Sequence, residues 1–520
     1  MIQLLHLQIQ RGGKFYLGVE DKGEITGLHK EHDNTTALAA FIANKTVPPV
    51  SVETEITDKN YLIITVPKCK SIVASSSGKI LRRRIKANGE PENIPMYPHE
   101  ISTRLSDLNM LDYSSLPVPD ATYDDLDKTE RERLRNIIRV YAGEKNLLDL
   151  DDEELDKALR LAVIVDDTLV PTFCGMLLIG RADRIKTLIP TASASFQVLQ
   201  GTNVVLNESI EMPMIAAFEK MQTYMDARNS ETEIEEGFFR ISVSDFDKRA
   251  FREALINAFC HRDYTMLGRV RVLLDDDGLT ISNPGDFVEG VTIDNLITAE
   301  PHGRNPALAD ALKRIGLAER TGRGIDRIFE GSLLYGKALP DYSESTATTV
   351  KLFIPRSLPD KSFTIMISDE QNKLGRALPI NTLLVLNELK RNRRCTISEI
   401  STDIHVSEAK VRITVEKLVE SGMLEASGNG KGRYYTLSIS VYKKSDKTAE
   451  YVRQKGISEV RFPEMIIKFA ENNDGHISRR EAVELLKISE PRAYKVLKKM
   501  ADEGKLKLHG SGRYAYYKIV

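Results

Sequence analysis

Two segments in the last third of this 520-residue chain repeat one another element by element. Leu378 to Leu437 and Arg461 to Ile519 each begin with a helical pattern. Thr396-Ile397-Ser398-Glu399-Ile400 or His476-Ile477-Ser478-Arg479-Arg480 then opens a second helix. A serine-containing turn, Val406-Ser407-Glu408 or Ile488-Ser489-Glu490-Pro491, opens a third, as N-cap preferences dictate. Gly422 and Gly504 stop that helix, and a strand pair closes each unit. A repeat of whole units means two small cores in tandem, not one continuous C-terminal domain.

Both segments resemble winged-helix domains, which implies double-stranded DNA as a partner. In the second unit Arg492, Lys495 and Lys499 share one face of the third helix, while Ala493, Val496, Leu497 and Met500 share the other. A basic, exposed third helix suits the major groove, and this unit is the favoured reader. The first unit offers Lys410, Arg412 and Lys417 among Glu408, Glu416 and Glu420. Lys431, Arg433, His509 and Arg513 stand at the hairpin tips as candidate groove or backbone contacts. Charge agrees: residues 376–520 carry 28 Lys+Arg against 18 Asp+Glu, and the remainder 45 against 57. A plain solvated surface, or packing between winged units, is the bland alternative.

Chemistry is concentrated upstream, in Arg252-Glu253-Ala254-Leu255-Ile256-Asn257-Ala258-Phe259-Cys260-His261-Arg262-Asp263-Tyr264. On a helix Glu253, Asn257 and His261 form one polar row, leaving Leu255, Ile256 and Phe259 to pack. A carboxylate and a carboxamide one turn apart suit nucleotide chemistry. The amide oxygen can ligate Mg²⁺ while the carboxylate orients or deprotonates a water. A buried row of mutually satisfied polar groups is the alternative.

The order REALINAFCHRDY, ISNPG, GRNP, ERTGRGIDRI resembles the RecG-like C-terminal family, a divergent branch of the GHKL ATPases. The resemblance runs from about Pro171 to about Pro355. It implies an α/β sandwich binding ATP with Mg²⁺, Glu253 as catalytic base and Asn257 as metal ligand. Gly322 and Gly324 then belong to the glycine box near the phosphates, with His261, Asn283, Gly285, Arg304 and Arg323 in the same nucleotide-binding set. Arg262 either contacts phosphate or pairs with Asp263. Where GHKL proteins carry Asp-x-Gly-x-Gly to accept from adenine, this chain has Asn283-Pro284-Gly285. An amide carbonyl accepts the same bond without charge. No Gly-x-x-x-x-Gly-Lys-[Ser/Thr] occurs, which excludes a P-loop helicase engine.

At the N-terminus GGKFYLGVEDKGEITGL reads as a hairpin, with further strands at 52–56, 61–66 and 80–86 and helices at 36–44 and 98–106. It resembles the AlbA-like domain of Schlafen proteins over about residues 5–106. Alternation puts Arg82 and Arg84 on one sheet face, a candidate phosphate patch, with RNA as a possible partner. The glutamate-rich strand that opens this family is missing. Either the module has lost that chemistry or the protein's start lies upstream.

Residues 107–160 read as an acidic, proline-broken linker with helices at 129–142 and 152–163. A further long helix is expected over 210–228, and its apolar stripe is core. The resulting divisions are 1–106, 107–160, 161–360 (core 245–335), 376–440 and 458–520, a multidomain α+β chain. Four scattered cysteines without a Cys-x-x-Cys pair, no apolar run of about 18 residues and no signal-peptide pattern suggest a cytoplasmic protein without a membrane span. Family analogy implies a homo-oligomer, dimer or higher.

The expected function is an ATP-binding, DNA-binding transcriptional regulator of slow or no ATPase activity. The rivals are a Schlafen-like nuclease acting on RNA or DNA, with phage defence as one setting, and a nucleotide-dead scaffold.

Overall fold

The computed structural model describes residues 13–20, 23–67, 69, 71–85, 91–108, 110–141, 143–236, 239–288, 290–300, 303–319, 322–428, 430–438, 462–471, 473, 475–486, 488–510 and 515–519. The N-terminal unit contains β1 (Gly13–Leu17), α1 (Thr35–Asn44), β2 (Thr46–Val47), β3 (Glu53–Ile56), β4 (Leu62–Val66), β5 (Ala74–Ser75), β6 (Leu81–Ile85), β7 (Pro91–Pro95) and α2 (Pro98–Asp107). Alternation in β4 turns Leu62, Ile64 and Val66 inward onto Leu38 and Ile42 of α1. The hairpin expected over 14–28 shrinks to one bridge, Val19↔Ile25, because β1 pairs with β4 instead.

The central unit follows with α3 (Lys128–Val140), α4 (Asp152–Ala158), β8 (Ala162–Val165), β9 (Thr168–Pro171), α5 (Phe173–Ile179), α6 (Ala182–Leu188), β10 (Ala194–Gln200), β11 (Asn203–Ile210), α7 (Met214–Asp226), β12 (Glu231–Glu236), β13 (Phe239–Ser244), α8 (Lys248–Cys260), β14 (Val270–Leu274), β15 (Gly278–Pro284), α9 (Pro306–Arg314), α10 (Gly324–Leu333) and β16 (Thr349–Pro355). Its sheet runs β11-β10-β14-β15-β16, with β10 and β14 parallel and the other pairs antiparallel.

One core joins Val118 to Ile354. The stretch read as a linker is therefore built in. Val118, Leu126, Leu134, Ile138 and Leu155 are buried there, and Arg131 of α3 holds Asp156 at 2.8 Å. Acidic composition misled because those carboxylates cap helices and pair with arginines. The helix expected over 152–163 stops at Ala158, where Arg160 takes a left-handed turn into β8. The helix expected over 210–228 starts only at Met214, after Pro213, because Ile210 ends β11.

Beyond α11 (Lys361–Leu374) the repeat appears as two like units. The first comprises α12 (Ile380–Asn392), β17 (Arg394–Thr396), α13 (Ile397–Asp403), α14 (Glu408–Glu420), β18 (Leu424–Ser427) and β19 (Tyr434–Leu437). The second comprises α15 (Phe462–Glu471), β20 (His476–Ser478), α16 (Arg479–Leu486), α17 (Glu490–Asp502), β21 (Leu506–His509) and β22 (Tyr516–Ile519). Their sheets share one order, β17-β19-β18 and β20-β22-β21, the winged-helix arrangement. Among the described residues no helix is long and apolar enough to cross a membrane.

Candidate nucleotide cleft and nucleic-acid interface

Helix α8 starts because the Asp247 carboxylate accepts from the N–H groups of Arg249 and Ala250, both at 2.9 Å. Ala250, Phe251, Ala254, Leu255 and Phe259 anchor it in the core. That anchoring turns Glu253, Asn257 and the C-cap residue His261 to a single cleft. Ile281, Val350 and Leu352 of the sheet supply apolar walls, joined by Val288, Leu296 and Tyr342.

Glu253 is 3% exposed. Burial pushes its carboxyl above the ordinary range, Arg252 and Arg327 oppose that, and the Glu319 carboxylate adds to it. The Glu319 backbone N–H donates to the same carboxylate.

Gly324 opens α10 directly against this row. A β-carbon there would lie 3.2 Å from Glu253 Oε2 and 3.7 Å from both terminal atoms of the Asn257 amide. A glycine lets the N-terminus of α10, with its unsatisfied N–H groups, come this close to a carboxylate and an amide without pushing the carboxylate aside. Such a helix end attracts anions. Asn283 also lines the cleft; its Nδ2 donates to the Pro284 carbonyl, which leaves Oδ1 as the accepting atom.

The donor set thus fits a magnesium-bound nucleotide. Among the described residues no group of three or more His, Cys, Asp or Glu could hold a metal ion by itself. Mg²⁺ commonly takes only one or two protein ligands beside phosphate and water.

Not every expected residue reaches the cleft. Glu253, Asn257, His261, Asn283, Gly322 and Gly324 line it; Gly285, Arg304 and Arg323 do not. Arg304 is 2% exposed and pairs with Asp263 at 3.8 Å, while its Nη2 donates to the Asp286 carbonyl at 3.1 Å. It braces the loop, because a buried guanidinium requires a buried carboxylate. Gly285, at φ 118, packs closely on Asp263, whose Cβ stands 3.3 Å from where a side chain would start. Arg323 turns outward to Asp326 and Glu330. Arg262 is fully buried and donates to the carbonyls of Asp263 and Gly268, so it shapes the following turn. Thr321 lies outside the described residues.

Missed in the sequence were Asp286, Lys313 and Glu319, all of which line the cleft. Glu319 stands beside the glycine box, a signal that was available. Lys313 lies on α9 with no motif around it.

The N-terminal unit docks on the same region. Thr103 of α2 donates to Asp263 Oδ2 at 2.6 Å, and Ser106 donates to the Arg304 carbonyl at 2.9 Å.

Of the candidate nucleic-acid contacts, Lys410, Arg412, Lys495 and Lys499 are exposed, as is Arg433, whose guanidinium lies over Tyr435. Arg82 pairs with Glu100 at 2.6 Å. The side chains of Arg84 and Lys431 and the whole of Arg513 lie outside the described residues. Arg492 is the correction: it is 6% exposed, and its Nη1 donates to the Arg394 carbonyl and contacts Cys395 Sγ at 3.4 Å. The helical period put it on a polar face, and the first winged unit covers the start of that face, at Ser489 and Arg492, leaving Lys495 and Lys499 bare.

Residues 268–353 match the family HATPase_c_4, ATP-dependent DNA helicase recG C-terminal. Residues 10–91 match Schlafen AlbA_2, and residues 378–425 match the winged helix-turn-helix DNA-binding family. Residues 103–195 match a domain of unknown function, DUF8451. The first match begins after Glu253 and Asn257, so their role rests on the cleft itself. The crystal structure of the DIP2311 protein from Corynebacterium diphtheriae is similar in fold, covering 100% of this chain and 89% of that one at 17% identity and a TM-score of 0.52. No curated protein matches the chain. The chain therefore joins a Schlafen AlbA-type domain to a RecG C-terminal, ATPase-type domain and a winged-helix tail.

Proposed function

We propose that the cleft beside α8 binds ATP with Mg²⁺ and that the protein is a DNA-binding transcriptional regulator whose winged helices respond to that site. Helix α10 carries this reading. Its first residue, Gly324, abuts Glu253 and Asn257, and its last, Leu333, is buried in the core of the first winged unit. The Leu333 carbonyl accepts from Asn387 Nδ2 of α12 at 2.9 Å, and Lys390 donates to the carbonyl of Gly336 just beyond. Ten residues, about 15 Å of helix, separate the two ends.

When bound, the nucleotide would supply a triphosphate whose metal polarises an attacking water. Asn257 offers the amide oxygen for that metal. Glu253, its carboxyl raised by burial, is poised to hold or take a proton from water. The N–H groups opening α10 offer donors for phosphate oxygens, Lys313 a cation, and Asn283 Oδ1 an acceptor for an exocyclic amine. Movement at Gly324 reaches the winged units only if the ligand prefers one placement of α10 over another.

Calorimetric titration with ATP and Mg²⁺ tests the site. Binding is expected in the wild type, lost in Asn257→Ala and kept in Glu253→Gln, in which any hydrolysis disappears. Duplex affinity measured with and without the nucleotide tests the coupling. Undetectable binding, with Asn257→Ala indistinguishable from wild type, refutes the reading.

A further inference from the structure

The two winged units are not equivalent readers of a duplex. Aligned by the repeat, Ser407 matches Ser489 and Lys410 matches Arg492. In the first unit the opening turn of α14 is bare: Ser407, Glu408, Ala409, Lys410 and Arg412 are exposed. In the second unit Glu490, Pro491 and Tyr494 are likewise exposed, but the positions that match Ser407 and Lys410 are sealed. The Ser489 N–H, fully buried, donates to Asn392 Oδ1 at 2.7 Å, and Arg492 reaches the Arg394 carbonyl and Cys395. Asn392 is held in turn by the Glu388 carboxyl.

The N-terminal residues of such a helix are those that meet base edges when it enters the major groove. For α17 two of them, Ser489 and Arg492, are occupied by the first unit. The cations that α17 keeps exposed are Lys495, Lys498 and Lys499, further along the helix beyond Tyr494, whose ring the Arg479 guanidinium covers. Lysine ammoniums there are point charges suited to phosphate, which positions a protein without reading sequence. Arg412 on α14 can instead meet guanine through two hydrogen bonds.

Building on the DNA-binding reading above, we infer that the first winged unit reads base edges through Lys410 and Arg412 while the second, docked on it through Ser489 and Arg492, clamps the phosphate backbone. This reverses the preference that the basic face of the second helix suggests.

The test uses the full chain, a duplex enriched by it from a random pool, and a scrambled duplex of the same composition, each titrated at several salt concentrations. The double variant Lys410→Ala/Arg412→Ala is expected to lose about tenfold or more of its discrimination between the two duplexes. The triple variant Lys495→Ala/Lys498→Ala/Lys499→Ala is expected to weaken both duplexes alike, keep their ratio and lower the salt slope by up to about 3. All five side chains are exposed, so both variants should fold. Discrimination lost in the triple variant and kept in the double one overturns the inference, as does a wild type that binds DNA but enriches no sequence. A wild type that binds no duplex even at low salt removes the DNA-binding reading itself.

Discussion

Gly324 and Glu253 meet closely: a β-carbon at 324 would stand 3.2 Å from the Glu253 carboxylate, which would have to give by a few tenths of an ångström. Gly324 is the first residue of a helix and has ordinary backbone angles, so Gly324→Ala meets no backbone strain. The alanine should change stability by no more than about 1 kcal/mol in either direction, the gain from fewer unfolded conformations being offset by the shift forced on the buried Glu253. It should also weaken ATP·Mg²⁺ binding about tenfold or more by displacing Glu253 and Asn257. Calorimetric melting and titration on one preparation check both, and unchanged affinity would show that this contact does not shape the site.

Asp263 connects three parts of the molecule. Its carboxylate accepts from Thr103 and Thr265 and pairs with the buried Arg304. Asp263→Ala leaves that guanidinium without its carboxylate, a loss of about 3–5 kcal/mol. It also removes the α2 contact, so protease sensitivity should appear around residues 107–116. Thr103→Val should increase that sensitivity while leaving the melting of the central unit nearly unchanged.

The buried guanidinium of Arg492 has a different consequence. Arg492→Ala removes hydrogen bonds between the winged units and should destabilise the second unit by about 1–3 kcal/mol, seen as an earlier calorimetric transition. Arg492→Lys should recover only part, since an ammonium lacks the planar fork. The salt slope of duplex binding should not change, because this charge does not face the nucleic acid. A lower slope would place Arg492 on DNA after all.

A pH dependence follows from Glu388 in α12. It is 6% exposed, and burial, reinforced by the neighbouring Asp403, pushes its carboxyl up to about 7. Arg391 and the Asn392 amide oppose this. A carboxyl raised on folding favours the protonated native state. Its stabilising contribution is complete below the ordinary value of 4.5 and is lost as pH rises through about 7. Glu388→Gln should therefore be more stable than wild type at pH 8, with the advantage shrinking toward pH 5. Equal stability of the two proteins across that range would contradict the shift.

The polar row of Glu253, Asn257 and His261 was legible in the sequence because a helix repeats every 3.6 residues, and the row survives folding unchanged in kind. The tandem units were legible because a serine at each turn and a glycine at each stop are local requirements, satisfied twice. Local chemistry likewise bounded β4 and α2 to within a residue or two.

Tertiary structure decided what covers each face. Periodicity marks Arg492 and Lys410 as alike, yet one is buried against Arg394 and the other is bare. The family resemblance implies Arg304 in the nucleotide-binding set, yet Asp263, forty-one positions earlier, claims it. The acidic stretch after residue 107 reads as a linker, yet Val118, Leu134 and Leu155 fill the central core. Pattern along the chain reports which side of an element is polar or apolar. The partner on that side comes from contacts between distant residues, which exist only once the chain has closed on itself.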